Sequence, residues 1–252
     1  MHRSARFLLI LLIAVIIVPH SRAQDDITID RKDPTAERIL FDVKNPPPEM
    51  PKLKPGEAAQ CQYNFDCKVN LGYEIVSEDH GGAGAAGSGN GTAPGAVTVA
   101  AKLRRVRVTI TLLSRIYIPR GANAKIRAHE EGHRIVNERA YEDAKSAARA
   151  AAMEVLTQTW SGTGDTPDAA GKDATDKAVK SLCDGYLSRT AAVASRVGDI
   201  YDELTRHGTN LRLKESDAVE QAFAKYKQEA SSTAPAPATT PATSTTQPTP
   251  RG

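Results

Sequence analysis

Two histidines four residues apart, with a glutamate directly after the first, occupy one stretch of this chain: His129-Glu130-Glu131-Gly132-His133. The residues around them have the period of a helix. On an α-helix, positions i and i+4 lie only about 40° apart around the axis, so both imidazoles share one face. Neutral imidazoles at that spacing can ligate one Zn²⁺ together. Glu130 is turned about 100° from His129, where its carboxylate can act on a water at the metal instead of ligating it. Two ligands and a general base are what metal-assisted hydrolysis needs. The plain alternative is a polar helix carrying two surface histidines.

The elements around the motif must position it. Pro119 and Gly121 stop a strand, and a long helix is expected from about residue 123 to 159. Its stripe runs Ile126, His129, His133, Val136, Ala140, Ala144, Ala147, Ala151, Val155, in steps of three and four that mark one face. Both histidines belong to the stripe and should face inward. Ser161-Gly162-Thr163-Gly164 reads as the stop. A second long helix is expected over about 174–207, with the stripe Val179, Leu182, Tyr186, Thr190, Val193, Val197, Ile200, Leu204, His207 and with Gly208 as its C′ residue. A short helix over about 216–227, N-capped by Ser216, follows. Upstream, residues 68–77 and 97–118 alternate as strands. Val106, Val108 and Ile110 point one way, and Arg105, Arg107 and Thr109 the other. The glycine-rich stretch 81–95 between them reads as a flexible loop without a P-loop lysine. The expected fold is α+β: a small antiparallel sheet packed on a long antiparallel helix hairpin that carries a zincin-like site.

A hydrolytic zinc site takes a third protein ligand and leaves the fourth position for water. Glu138 and Glu142 lie about 140° or more around the helix from His133, so the ligand should come from another element. His133 does not begin the H-x-x-G-x-x-H extension of metzincins. Folding the two long helices at about residue 166 brings His207 level with the motif to within one or two turns, which makes His207 the expected third ligand. His80 borders the glycine-rich loop and is poorly placed. Asp202 is expected to orient a ligand histidine from behind, Tyr201 to donate to an oxyanion or simply fill the core, and Thr205 to satisfy backbone near the helix end.

These residues carry a family resemblance. Ala128–Ile135 (A-H-E-E-G-H-R-I) and Tyr201–Gly208 (Y-D-E-L-T-R-H-G) resemble a family of bacterial secreted proteins predicted to be zinc-dependent proteases, formerly a domain of unknown function. The resemblance covers most of residues 58–228 and is specific at those two segments. It implies a zincin-type hydrolase with His129 and His133 as ligands and Glu130 as base. The downstream pattern Y-D-x-x-T-x-H-G falls on Tyr201, Asp202, Thr205, His207 and Gly208, and its histidine implies His207 as the third ligand. The glycine-rich insertion at 81–95 departs from the family.

Residues 1–23 read as a secretory signal peptide: Arg3 and Arg6 precede the apolar run Phe7 to Val18, and Ser21-Arg22-Ala23 is a small-x-small cleavage site. That run is shorter than the roughly 20 residues a membrane span takes. The whole chain carries 33 Lys and Arg against 30 Asp and Glu, and three of the arginines lie in the signal segment, so the mature chain is near neutral. No electrostatic case exists for a nucleic-acid partner. Residues 24–57 hold many prolines and read as an extended linker, residues 58–230 as the ordered domain, and the Ser/Thr/Ala/Pro-rich residues 231–252 as a disordered tail. In an oxidising compartment a disulfide is expected, with Cys61–Cys67 favoured and Cys183 left as a buried thiol; pairing of Cys183 with either is the alternative.

The expected activity is that of a secreted or periplasmic zinc metallopeptidase acting on a peptide or protein substrate. An exposed edge of the strand ending at Ile118 would pair with the substrate. Two alternatives use the same residues: a zinc amidase acting on cell-wall peptides, and a non-catalytic secreted scaffold with a structural metal.

Overall fold

The computed structural model describes residues 26–53, 57–80 and 96–233. The expected signal peptide, the glycine-rich loop and the tail beyond residue 233 lie outside the described residues. In chain order the elements are strands β1 (Ile27–Arg31), β2 (Thr35–Phe41), β3 (Gln60–His80) and β4 (Val97–Pro119), helices α1 (Ala124–Glu142) and α2 (Ala144–Leu156), strand β5 (Thr159–Gly164), and helices α3 (Pro167–Arg189), α4 (Ala191–Thr205) and α5 (Glu215–Thr233). β1, β2, β3 and β5 each pair with β4 in one five-stranded sheet. None of the described helices is long and apolar enough to cross a membrane.

β4 owes its length to alternation. Val97, Val99, Ala101 and Leu103 are buried; the phase then slips by one at the exposed pair Arg104-Arg105, and Val106, Val108, Ile110, Leu112, Ser114 and Ile116 are buried in turn. A one-residue slip keeps the apolar set on the inner face where strict alternation would have turned it to solvent. β2 runs parallel to β4, from Thr35 opposite Leu113 to Phe41 opposite Pro119. β5 runs antiparallel to it, from Val97 opposite Gly164 to Lys102 opposite Thr159. The chain is therefore mixed α and β, but its sheet is not the antiparallel one expected. The stretch Leu113–Pro119 is already paired with β2, so that side of it is not the open edge expected to receive a substrate.

The described residues divide into two compact units. One contains residues 26–30, 68–80, 96–108 and 148–183. One hydrophobic cluster within it is Val97, Val99 and Ala170, with Ile75 against it. Gly162 and Gly164, read as a helix stop, are strand residues here. A Cβ on Gly162 would stand 2.0 Å from the Ala170 carbonyl oxygen, so α3 lies with its backbone directly on β5.

The other unit contains residues 31–53, 57–67, 109–147 and 184–233. Here α1, α4 and α5 pack around Val136, Val197, Ile200, Tyr201, Ala218, Val219, Ala222 and Phe223. The expected two-helix hairpin is thus a three-helix cluster. Both long helices are interrupted. At Asp143, the Tyr141 carbonyl accepts from the Asp143 N–H and from Arg31 Nε (3.2 Å). At Thr190, the hydroxyl donates to the Tyr186 carbonyl (2.9 Å) and the backbone leaves the helical region. Tyr141 fixes the far end of α1: it is fully buried, and its hydroxyl donates to the carbonyls of Lys32 (3.0 Å) and Ile110 (2.8 Å). At the near end, Gly121 (φ +85°) turns the chain out of β4, and Asn123 accepts from the Ile126 N–H as N-cap.

Two further expectations fail. Residues 24–57 are not simply a linker, because β1 and β2 lie within them. Pro34 falls in the turn between those strands, and the other prolines follow β2, so neither strand loses a donor. The expected Cys61–Cys67 disulfide is absent as well. Both cysteines lie on β3, six residues apart, which is about 20 Å along a strand and far beyond the roughly 7 Å a disulfide tolerates. Cys61 is a free thiol, and Cys67 and Cys183 are the disulfide-bonded cysteines. Thiol labelling of the denatured, unreduced protein should therefore find one reactive cysteine per chain, mapping to Cys61. Labelling at Cys183 would contradict the structure.

Candidate metal centre

The motif occupies the middle of α1. His129 and Glu130 are both buried, at 6% and 5% exposure, and His133 is half-buried beside them. The facing element is α4, which brings Asp202. Its Oδ1 lies 2.9 Å from His133 Nε2 and 3.2 Å from His129 Nε2. Both imidazoles thus aim the same nitrogen at one carboxylate oxygen. All three ligand atoms lie within 4.8 Å of one another. With ligand bonds of about 2.0–2.1 Å, neighbouring ligand atoms of a tetrahedral site stand roughly 3.3 Å apart. The two separations to Asp202 are close to that edge length, and two imidazole nitrogens with one carboxylate oxygen are a donor set that could hold a metal ion.

Asp202 thus meets the motif's histidines as expected, and its oxygen is also close enough to both Nε2 atoms for the three to hold one metal ion. His207 does not join that group. α4 ends at Thr205, and Arg206, His207 and Gly208 all take left-handed backbone, with φ of 51°, 51° and 78°. The projection that put His207 on the inward stripe assumed two more helical residues. Its ring is 64% exposed, and its Nδ1 lies 3.7 Å from Asp202 Oδ1. Left-handed backbone costs a non-glycine residue about 1–2 kcal/mol, so this end is held by compensating bonds. The N–H groups of Arg206 and His207 go to the Asp202 carbonyl, and Asn210 bonds back to Thr205 and Leu204. Thr205 serves the backbone as expected, donating to the Tyr201 carbonyl (2.8 Å).

Tyr201 does not face the reaction space. It is fully buried, and its hydroxyl donates to the His129 carbonyl (3.1 Å). Its ring stacks on His129 (5.1 Å, 12°) and meets His133 edge-on (4.9 Å, 77°). Burial holds its phenol well above the ordinary tyrosine range. Tyr201 is thus a platform for the imidazoles and not the expected oxyanion donor. Gly132 makes room for it, since a Cβ there would sit 2.0 Å from the Tyr201 hydroxyl. Gly208 similarly lies against the His129 ring, where a Cβ would be 3.0 Å from Cγ. Mid-helix glycine costs about 1 kcal/mol, so Gly132 was the sequence signal for this close approach.

A cleft of about 490 Å³ opens over these groups, lined by Glu57–Cys61 and Tyr63, by His129, Glu130 and His133, and by Gly198, Asp199, Asp202 and His207 among others. The segment before and into β3 was missed as part of the site because no periodicity or spacing ties it to the motif on α1. Its contribution is made through the backbone: the Cys61 N–H donates to the Glu130 carboxylate. Burial pushes Glu130 up to about 7, against the lowering effect of His133. Asp202 is held well below the carboxylate range, because hydrogen bonds from His129 and His133 outweigh its burial. Burial would lower His133, but its bond to Asp202 prevails and raises it. Burial pushes the Cys61 thiol up to about 12, so it is a neutral, unreactive neighbour. His129 Nδ1 is buried without a hydrogen-bond partner among the described residues.

No family model, no curated protein and no solved structure matches this chain.

Replacing the motif's glycine tests the packing. Gly132→Ala gains about 1 kcal/mol of helix propensity but forces Tyr201 away, and overpacking of this kind costs about 1–3 kcal/mol. Because the clash meets a ring wedged between two helices, the loss should win, giving a lower melting temperature and weaker metal binding. Gly198→Ala, whose Cβ would make only an ordinary 3.8 Å contact with His133 Nδ1, should melt at or above the wild-type temperature. Equal melting of the two variants would show that the Tyr201 contact does not bind α1 to α4.

Proposed function

We propose that this chain is a secreted zinc-dependent hydrolase of peptide bonds, with His129, His133 and Asp202 as metal ligands and Glu130 as general base. The observation that carries the reading is Glu130: a carboxylate 5% exposed, in the same cleft as three convergent ligand atoms and outside the ligand group. Burying a carboxylate is costly, and a purely structural metal site has no use for it. The likeness of Ala128–Ile135 and Tyr201–Gly208 to secreted zinc proteases supports the reading, and residues 1–23 support secretion.

The ion, when bound, supplies a Lewis acid that lowers the pKa of a water and polarises a carbonyl. Glu130 takes the water's proton as oxygen adds to the carbonyl carbon, then passes it to the amine nitrogen as the C–N bond breaks. A base poised near neutrality suits both transfers, since it must accept a proton and release it within one turnover. The Cys61 N–H fixes the carboxylate's orientation. Tyr201 holds both imidazoles from behind, and its bond to the His129 carbonyl keeps α4, and so Asp202, in place.

Purified mature protein should hold about one zinc per chain, and alanine at His129, His133 or Asp202 should each abolish that content. Glu130→Gln should keep its zinc and lose about 10²–10⁴-fold in kcat/KM on a cleaved casein-derived peptide. Undiminished hydrolysis by Glu130→Gln would exclude the mechanism; full zinc content in Asp202→Ala would exclude the ligand set.

A further inference from the structure

We propose that His207 is a substrate-facing hydrogen-bond donor of this site and not one of its metal ligands. Its imidazole N–H holds the carbonyl oxygen of the scissile amide as negative charge develops there. The inference rests on the hydrolase reading above and assigns a residue to a role that reading leaves open.

Three other donors near the centre are committed elsewhere. The Tyr201 hydroxyl donates to the His129 carbonyl. The Lys125 ammonium is held by the Leu213 carbonyl and by Glu215. Asn137 Nδ2 points at Cys61 Sγ. The His207 ring lines the cleft with 64% of its side chain exposed, and its approach to Asp202, 3.7 Å, is longer than a hydrogen bond.

The position is built. Two successive non-glycine residues with positive φ carry the chain out of α4 and past the centre. His207's own N–H is bonded to the Asp202 carbonyl (3.1 Å), and Gly208 then packs on the His129 ring. One turn thus ties a ligand's backbone, the donor and the far side of another ligand together. Sparsely populated backbone held by its surroundings is the expected mark of a group placed for function.

In the step this serves, water oxygen bonds to the carbonyl carbon and the C=O π pair moves onto oxygen. Glu130 holds the water's proton, and the His207 N–H hydrogen-bonds the oxygen without giving up its proton. When the C–N bond breaks, the carbonyl re-forms and the amine leaves with the proton from Glu130. A donor that strengthens as charge appears accelerates the reaction without tightening substrate binding.

The test compares wild type, His207→Ala and His207→Gln, each as the full mature chain loaded with zinc. The expected result for His207→Ala is one zinc per chain with unchanged competition by a chelator, and a kcat about 10²–10³-fold lower with KM nearly unchanged. An N-phosphoryl dipeptide, whose tetrahedral oxygens mimic the charged state, should bind more weakly by a similar factor. His207→Gln, which keeps an N–H, should recover part of both losses. Zinc loss in His207→Ala would make the residue a ligand and overturn the proposal; unchanged kcat and unchanged phosphoryl-peptide binding would make it a surface residue and do the same. If wild type cleaves no peptide, the hydrolase reading falls separately, and the phosphoryl-peptide comparison decides on His207: equal or absent binding overturns it, and weaker binding by His207→Ala supports it.

Discussion

The arrangement of this site depends on one contact, the seating of Tyr201 from α4 against the backbone of α1 at Gly132. Everything else is geometrically downstream. The ring touches both imidazoles, flat on His129 and edge-on to His133, and its hydroxyl closes on the His129 carbonyl. Aromatic contacts of this kind are worth only about 0.5–1.5 kcal/mol each beyond area burial. Their importance lies in orientation: two histidines that could each take several rotamers are left with one. The next residue, Asp202, is turned about 100° around α4 from Tyr201. With Tyr201 buried in the seam, Asp202 must emerge at its edge, beside both Nε2 atoms. A single packing event therefore sets the ring planes of two imidazoles and the position of Asp202 beside them.

Such a seam concentrates charge where water is scarce, and the structure shows how the cost is managed. Asp202 stays ionised despite its burial because two imidazoles bond to one of its oxygens. Glu130, in the same cleft, is pushed up to about 7 because its burial outweighs the lowering effects of His133 and of the Cys61 N–H. Hydrogen bonding thus prevails at one carboxylate of the cleft and burial at the other. In the hydrolase proposed above, that separation would divide labour between an anionic ligand and a base that exchanges protons.

The parts of this design that follow a helical or alternating period could be read from residues alone. The inward face of α1, the alternation of β4 around Val106–Ile110 and the pairing of two histidines with Glu130 all follow from periods of 3.6 and 2. What could not be read was decided by interactions that leave no period. The breaks at Asp143 and Thr190 come from carbonyls drawn away by Arg31 and by a threonine hydroxyl. Projecting α4 two residues past its true end put His207 on the inward stripe, whereas the left-handed turn leaves its ring mostly exposed and Asp202 beside both imidazoles. The cysteine expectation failed because proximity in sequence was mistaken for a loop; in an extended strand it means separation. β1 and β2 were hidden because the prolines around them colour the whole segment, although none falls inside either strand.

The glutamate and the ligands are supplied by different kinds of structure, and that division carries a consequence. His129, His133 and Asp202 are set by helix packing, which resists small displacements because cores are dense. Glu130 sits on the same helix, but its carboxylate is oriented by the N–H of Cys61, at the start of a strand reached through Glu57–Ala59. The wall of the cleft that holds Glu57–Cys61 thus also supplies a hydrogen bond to Glu130. In the hydrolase proposed above, metal affinity and proton transfer would therefore be separable, the first belonging to the α1–α4 seam and the second to its junction with β3.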